Sequence, residues 1–259
     1  MSNPITIGGK RLEHKTALIT GASRGIGFAI AKAYASQGAN LVLTASNEAG
    51  LKKAKAALDG YGVDVSFFPT DISSMDSIEA LFCFSTERHP GLDVLVNNAG
   101  IHIGKPFVDH GMDEFDQLMR TNVYSVFNLT QYAIRHMQSL GRGKVINVAS
   151  VAGLRGSVNS AAYNTSKHAI VGLTRCIALE NAKNGINVNA ICPGIVETDL
   201  IKGVEQRMEA QGMPSAEFRE RILAQIPMGR FLQPEEIAHI AVFLASSESD
   251  GMNGEAIAI

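Results

Sequence analysis

The chain has 259 residues, of which 46% are hydrophobic and 19% charged, and its formal net charge is −2. These values indicate an ordinary globular protein without the basic excess that nucleic acid or an anionic membrane surface would attract. The three cysteines lie far apart, so we expect neither a disulfide framework nor a cysteine-rich zinc site.

Residues 1–10 do not combine a basic start with a long apolar stretch, which predicts no secretory signal. No apolar run approaches the roughly 20 residues that cross a bilayer. The seven histidines form no cluster with metal-ligand spacing. We therefore expect a cytoplasmic protein with no metal site and with neither a membrane nor a nucleic-acid partner.

Short β-branched or leucine-rich runs alternate with segments of helical length along the chain. The predicted strands are residues 15–20, 40–45, 63–68, 94–97, 144–148, 187–191 and 256–259. Strands that alternate with helices indicate βαβ units with right-handed crossovers. The sequence predicts an α/β fold in a single domain, 1–259, with about seven strands in a doubly wound parallel sheet and helices on both faces.

Residues 198–227 interrupt this alternation because they contain no strand signal. Leu200, Ile201, Val204 and Met208 predict one amphipathic helix, residues 212–214 break it, and a second helix is expected over 215–225. Long connections in compact domains often cover a binding site. We expect a helical substrate lid at about 198–227, with two ordinary surface helices as the alternative.

A glycine-rich turn follows the first predicted strand and opens the first helix, with the spacing G-x-x-x-G-x-G. Glycines let the backbone approach a pyrophosphate, and a helix N-terminus offers free N–H groups and the positive end of a dipole. The turn therefore predicts a Rossmann-like nucleotide site, although a glycine turn alone is weak evidence. The residues expected to hold the nucleotide are Gly21, Ser23, Arg24, Gly25, Ile26 and Gly27.

The end of the second strand bears on which nicotinamide cofactor is used. An acidic residue there usually holds a free ribose 2′-OH, but Ser46 and Asn47 offer no carboxylate. Arg24 can meet a 2′-phosphate, with Ser46 and Asn47 as neutral donors. This pattern favours NADP(H), and NAD(H) is the alternative if Arg24 is a solvated loop residue.

Ser150, Tyr163 and Lys167 form a second candidate constellation. The tyrosine and lysine lie four residues apart on one helical face, and Ser150 follows a strand at the edge where α/β folds bind ligands. Bringing a phenol pKa from about 10 to about 7 requires roughly 4 kcal/mol. A lysine cation about 4 Å away supplies about that much. The set predicts a tyrosine acid–base catalyst.

With these motifs the chain resembles the classical short-chain dehydrogenases/reductases from about residue 10 to residue 259. The segments that resemble the family are Thr20–Gly27, Asn97–Gly100, Asn122 in its Thr-Asn-Val context, the Ser150, Tyr163 and Lys167 set, and the Pro-Gly-Ile segment at Pro193. The resemblance implies further cofactor contacts at Asp71, Ile72, Asn98, Ala99, Gly100, Tyr163, Lys167, Pro193, Gly194, Ile195 and Thr198.

The resemblance also implies catalytic roles. Tyr163 would be the general acid in reduction and the base in oxidation, and Lys167 would hold the nicotinamide ribose and tune Tyr163. Ser150 would orient the substrate oxygen, and Asn122 would maintain a proton relay at a helix distortion. The family associates through two long helices, here about 113–140 and 161–184, which implies a homotetramer or homodimer.

The resemblance also bears on the substrate. Segment 199–225 is similar to that of dehydrogenases of polyols, sugars, small diols or hydroxy acids, which favours a small soluble secondary alcohol and its ketone. The glycine turn also resembles 3-oxoacyl-acyl-carrier-protein reductases, but Leu179 stands where those enzymes often present an arginine. His102, His110 and Asn159 are possible pocket residues. A different class, an NADP(H)-binding sensor or scaffold without turnover, is disfavoured by the intact catalytic set.

Overall fold

The computed structural model describes residues 9–210 and 212–259. Seven parallel strands form a single sheet in the order β3-β2-β1-β4-β5-β6-β7. The strands are β1 (Thr16–Thr20), β2 (Asn40–Ala45), β3 (Val65–Pro69), β4 (Leu92–Asn97), β5 (Gly143–Val148), β6 (Ile186–Cys192) and β7 (Ala256–Ala258). This topology confirms the predicted doubly wound α/β fold.

The helices alternate with these strands. They are α1 (Gly25–Ser36), α2 (Glu48–Ala56), α3 (Met75–Arg88), α4 (Met112–Met119), α5 (Ser125–Leu140), α6 (Ala161–Asn181), α7 (Asp199–Ala210), α8 (Ser215–Leu223) and α9 (Pro234–Ala245). The helix predicted over 113–140 is interrupted by a π-helical turn, Arg120–Tyr124, between α4 and α5. The helix predicted over 161–184 is α-helical only to Asn181 and ends in a 3₁₀ turn.

Both faces of the sheet are buried. Ile19 of β1 packs with Ile30 of α1 in a core that also includes α2 and α9. The preceding residue, Leu18, points to the other face, where Ile78 of α3 and Leu129 of α5 pack together with α6. Burial on both sides explains why apolar residues such as Leu18 and Ile19 are consecutive in a strand instead of alternating with polar ones.

Strand boundaries differ from the sequence-based ones by one or two residues. The third strand begins at Val65 instead of residue 63, because Gly62 adopts φ 71° and the Asp64 N–H donates to Asn40 Oδ1 at 2.9 Å. Those contacts complete a turn before strand pairing starts. The second helix of the 198–227 segment ends at Leu223 instead of residue 225.

The strand order reverses direction between β1 and β4, and this point defines the crevice of a doubly wound sheet. Thr20, Asn97, Val148 and Cys192 are the last residues of four strands and lie at the same edge. Within the described residues, no helix is both long and apolar enough to cross a membrane. Most of the segment 1–10, on which the signal-sequence prediction rests, lies outside the described residues.

Candidate active site

The glycine-rich turn leaves a cradle between β1 and α1. Gly21 has φ +65°, and a Cβ there would lie 2.8 Å from Asn98 Nδ2. A Cβ on Gly27 would collide with the Gly21 carbonyl oxygen. Arg24 precedes α1 in an extended conformation and gives no side-chain cap, so the first N–H groups of the helix are available to an anion. These features fit a pyrophosphate.

Thr20 joins the two strands that border the crevice. Its hydroxyl accepts the N–H groups of Asn98 at 2.9 Å and Ala99 at 3.0 Å, and Asn98 Nδ2 donates to the Thr20 carbonyl oxygen at 2.9 Å. The sequence-based prediction named Asn98 and Ala99 but not the role of Thr20. A threonine at a strand end is too common to reveal such a contact.

Of the residues predicted to determine the cofactor preference, Arg24 lies at the start of α1, and Ser46 and Asn47 directly follow β2. Arg24 is exposed, and its Nη1 lies 3.3 Å from Asp199 Oδ2 at the start of α7. Ser46 is exposed, and Asn47 Oδ1 accepts the Gly50 N–H at 3.1 Å as the N-cap of α2. These residues therefore offer one cation, Arg24, and two neutral polar side chains, and the Asp199 carboxylate pairs with the cation.

The remaining predicted cofactor residues lie in the glycine turn and directly after β3. A Cβ on Gly50 would lie 3.0 Å from Ser23 Cβ, so the turn packs closely against α2. Ile26 and Ile72 are partly buried and pack against the two core clusters. Asp71 is exposed and accepts hydrogen bonds from Ser73 N and Oγ, which lower the pKa of its carboxyl group.

The segment after β6 forms the opposite wall. The Pro193 carbonyl oxygen accepts the Val151 N–H at 3.0 Å, and the Gly194 N–H donates to the last residue of the chain at 2.9 Å. The Ile195 carbonyl accepts the Leu232 N–H at 2.9 Å. A Cβ on Gly25 would lie 3.5 Å from Thr198 Cγ2, which shows that Thr198 faces the glycine turn across the crevice.

Lys167 is buried at the centre of the site. Its Nζ donates to the Val148 carbonyl oxygen at 3.0 Å and lies 5.7 Å from the centroid of the Tyr163 ring. Burial lowers the pKa of Lys167 to about 8, and the nearby Cys192 thiol acts weakly in the opposite direction. A Cβ on Gly100 would lie 3.7 Å from Nζ, which places the end of the lysine side chain beside the loop that follows β4.

Tyr163 and Ser150 complete the predicted group. Burial raises the pKa of Tyr163, and a hydrogen bond with the Ser150 side chain lowers it by a smaller amount. Ser150 Oγ also accepts the Ala152 N–H at 3.1 Å. The lowering of the Tyr163 pKa by Lys167 remains a prediction, because the electrostatic effect that shapes this phenol here is burial.

Asn122 lies inside the π-helical turn, is almost completely buried, and faces the loop after β4. Its Oδ1 accepts the Ile101 N–H at 2.9 Å, and its Nδ2 donates to the Ile101 carbonyl at 3.0 Å and to Ser166 Oγ at 3.1 Å. The extra residue in a π turn changes the direction of side chains on the helix. The helix distortion implied at this position is therefore present.

The loop after β4 places His102 beside Tyr163. The His102 and Tyr163 rings meet edge to face with centroids 4.7 Å apart. Arg207 of α7 also approaches His102, with Nη2 3.4 Å from Nδ1. Arg207 was not among the residues predicted from the sequence, because an arginine on an amphipathic helix is normally a solvent-exposed charge.

His110 and Asn159, the other two possible pocket residues, differ from His102. The His110 ring is buried, and neither of its nitrogens has a hydrogen-bond partner among the described residues. Its Nδ1 lies 3.7 Å from a Glu114 carboxylate oxygen. Asn159 has φ 57°, and its carbonyl oxygen would lie 3.4 Å from a Cβ on Gly104. Among the described residues, His102 is the histidine whose ring packs on the Tyr163 ring.

Comparison with known proteins extends these observations. Residues 21–259 match a family model described as enoyl-(acyl carrier protein) reductase. D-β-hydroxybutyrate dehydrogenase of Cupriavidus necator is 40% identical over 94% of this chain and 95% of its own length. A 3-oxoacyl-(acyl-carrier-protein) reductase of Vibrio cholerae is 38% identical over 95% of this chain and 96% of its own. The structure of actinorhodin polyketide ketoreductase with NADPH superposes with a TM-score of 0.90 at 34% identity, covering 95% of each chain.

The fold, the site and these similarities define a nicotinamide-dependent oxidoreductase that interconverts alcohols and ketones. The chain belongs to the short-chain dehydrogenase/reductase family.

Proposed function

We propose that this enzyme uses NADP(H) to interconvert a secondary alcohol and a ketone on a small soluble substrate of polyol, sugar, diol or hydroxy acid type. The observation that carries the proposal is the convergence of Ser150, Tyr163 and the buried Lys167 beside a glycine cradle that fits a pyrophosphate. The relative from Cupriavidus necator, named as a dehydrogenase of a small hydroxy acid, supports this choice of substrate class.

The catalytic step requires a proton at the substrate oxygen. When bound, the nicotinamide would supply the hydride in reduction and take it up in oxidation. The Tyr163 hydroxyl gives its proton to the carbonyl oxygen in reduction and accepts the alcohol proton in oxidation. The Ser150 hydroxyl donates to the same oxygen, which orients the substrate and stabilises the charge that develops there.

Lys167 and Asn122 support that proton transfer. With its pKa near 8, Lys167 is mainly protonated at neutral pH, and its ammonium can hold ribose hydroxyls while favouring the phenolate form of Tyr163. Asn122 fixes Ile101 and Ser166 around the lysine, which supports its proposed place in the proton relay.

The preference for NADP(H) rests on the environment beyond β2. The 2′-phosphate would meet the Arg24 guanidinium, with Ser46 and Asn47 as neutral neighbours. The ion pair between Arg24 and Asp199 would open when the phosphate arrives. Asp71 and Ile72 would line the adenine, while Thr198 and the segment 193–195 would contact the nicotinamide end.

We further infer that residues 198–227 form the substrate lid of a single domain that spans the chain. Arg219 of α8 pairs with Glu197 and with Glu205 of α7, and its guanidinium lies 4.6 Å from the Phe231 ring centroid. These contacts hold the α7–α8 pair against the body of the protein, where Arg207 reaches the neighbour of Tyr163.

Assembly and location are also proposals. Phe127 of α5 is 49% exposed and Leu179 of α6 is 83% exposed. Apolar side chains on these two helices support association as a homodimer or homotetramer through them. A cytoplasmic location agrees with three cysteines that lie far apart in sequence.

A second candidate is 3-oxoacyl-acyl-carrier-protein reduction, favoured by the relative from Vibrio cholerae. A carrier protein is acidic, and Leu179 presents an apolar rather than a cationic side chain on α6. The small-molecule substrate is therefore the first candidate, and a carrier-bound ketone belongs in the same assay.

The test is oxidation of NADPH and NADH, and reduction of the oxidised cofactors, with a panel of small ketones, hydroxy acids, polyols and a carrier-bound β-ketoacyl group. Tyr163→Phe should lose about 100-fold or more of kcat/KM while remaining folded. Equal turnover by the wild type and Tyr163→Phe on every compound would refute the catalytic role of this tyrosine. Turnover only with the carrier-bound substrate would select the second candidate.

A further inference from the structure

Arg207 differs from the other arginines of the α7–α8 pair. Arg219 pairs with Glu197 and Glu205, and Arg221 pairs with Glu217 one helical turn away. Among the described residues, Arg207 forms no salt bridge with an acidic side chain. Its full positive charge is therefore available to a ligand, because a guanidinium remains protonated at any physiological pH.

The position of this charge is tied to the reactive group through His102. Arg207 Nη2 lies 3.4 Å from His102 Nδ1, and Nη1 lies 3.5 Å from the His102 carbonyl oxygen. The same imidazole packs edge to face with the Tyr163 ring at a centroid distance of 4.7 Å. Only one aromatic ring therefore separates the cation from the acid–base residue.

His102 is a neutral partner in this arrangement. Burial, the Arg207 charge and His110 lower the pKa of His102 to about 4. With Nδ1 turned toward the guanidinium as an acceptor, the ring proton lies on Nε2 and can be donated to a ligand. The imidazole adds a hydrogen-bond donor but no second positive charge.

A guanidinium has five N–H donors, and only two of its nitrogens are engaged here, each by a long contact. The free donors match a carboxylate, which accepts two parallel hydrogen bonds from arginine. A single cation balances the single charge of a carboxylate better than the roughly two charges of a phosphate monoester.

We propose that Arg207 and His102 form a carboxylate subsite, so that the substrate is a small hydroxy acid and its keto acid rather than a neutral polyol or diol. This inference rests on the proposed function, because it names the substrate class of that same site. The acid must be small, since one aromatic ring separates the carboxylate position from Tyr163. Arg207 and His102 thus act as specificity-determining residues.

The test compares acids with uncharged analogues of the same shape. Wild type, Arg207→Ala and Arg207→Lys are assayed with β-hydroxybutanoate, γ-hydroxypentanoate and gluconate, each paired with its primary amide. Arg207→Ala should lower kcat/KM for the acids by about 30-fold and for the amides by less than about threefold. For the acids, kcat/KM of Arg207→Lys should lie between the values of the wild type and Arg207→Ala, because lysine keeps the charge but not the paired donors.

Arg221→Ala is the matched control, since it removes an arginine from the neighbouring helix whose partner is Glu217. This variant should have the same kcat/KM as the wild type for both the acids and the amides. An equal loss of kcat/KM for acids and amides in Arg207→Ala would overturn the proposal, and so would a wild type that prefers the amides.

Binding separates this proposal from the proposed function. Calorimetric titration of butanoate and butanamide into the protein with NADP⁺ requires no turnover. If the wild type binds butanoate and Arg207→Ala does not, the subsite is supported, whether or not any substrate is turned over. If no substrate is turned over, the proposed function is refuted. The enzyme could instead turn over neutral alcohols with a rate that depends on Tyr163 but not on Arg207, and fail to bind butanoate. That result would refute the subsite and leave the proposed function standing.

Discussion

Asn122 and Ile101 are joined by a pair of hydrogen bonds in which one side-chain amide satisfies both main-chain groups of one loop residue. Asn122 Oδ1 accepts the Ile101 N–H at 2.9 Å, and Nδ2 donates to the Ile101 carbonyl at 3.0 Å. Gly100 and His102 flank Ile101 in sequence, so the amide fixes the segment that passes between Lys167 and the α7–α8 pair.

Replacing Asn122 with alanine should both destabilise the protein and impair catalysis. The substitution leaves the partly buried N–H and C=O of Ile101 without their side-chain partner, which costs about 1 to 3 kcal/mol in free energy of unfolding. Urea unfolding and steady-state kinetics measure the two effects. Asn184→Ala is the control, because Asn184 makes a single 3.4 Å contact with Asn181 and should change neither quantity appreciably.

The charge of Lys167 should make stability depend on pH in a defined window. Burial lowers its pKa to about 8 from an ordinary value of 10.5 in the unfolded chain. The unfolded chain therefore binds more protons between these values, and the contribution of Lys167 to stability rises as pH increases through this range. The full change is about 3 kcal/mol, since one pKa unit corresponds to 1.36 kcal/mol.

The matched measurement uses Lys167→Met, which keeps the length of the side chain without its titration. The free energy of unfolding of the wild type minus that of Lys167→Met should increase from pH 7 to pH 10, while groups common to both proteins cancel. A difference that stays flat or falls with pH would contradict the lowered pKa of Lys167.

Arg219 should control how firmly the α7–α8 pair is held. Its side chain links Glu197, the largely buried Glu205 and the Phe231 ring. Arg219→Ala leaves Glu205 without its cation, so limited proteolysis within 199–223 should accelerate and KM should rise more than kcat falls. Arg221→Ala breaks only an exposed pair one helical turn apart and should behave as the wild type.

Arg24 should determine the preference between the two cofactors. Arg24→Ala is expected to raise KM for NADPH by about tenfold or more and to leave KM for NADH nearly unchanged, because only NADPH carries the 2′-phosphate. Asp199→Asn removes the carboxylate that now pairs with Arg24 and should lower KM for NADPH. Equal effects of Arg24→Ala on both cofactors would refute contact with the phosphate.

The regular part of the fold was predictable because its signals are local. Short β-branched or leucine-rich runs between segments of helical length indicate strands from neighbouring residues alone, and their alternation with helices indicates a parallel sheet with right-handed crossovers. The start of β3 was misplaced because the side chain of Asn40, distant in sequence, completes the turn at Asp64. Such a contact has no signature in the segment itself.

The residues of the candidate site also differ in whether the sequence alone could predict them. Gly21 and Gly27 were recognisable because only glycine tolerates their close approaches. His102 and Arg207 were ambiguous because each is an ordinary loop or surface residue until the fold brings α7 over the end of β4. Their proximity depends on tertiary packing of segments about one hundred residues apart, which neither spacing nor periodicity encodes.

The hydroxyl of Thr20 holds the ends of β1 and β4 at a fixed separation through two main-chain amides. These bonds lie within the protein and need no contribution from a nucleotide. A wall that is held by the protein itself adds little entropic cost to ligand binding. We therefore expect Thr20 to act as a rigid spacer that favours cofactor binding.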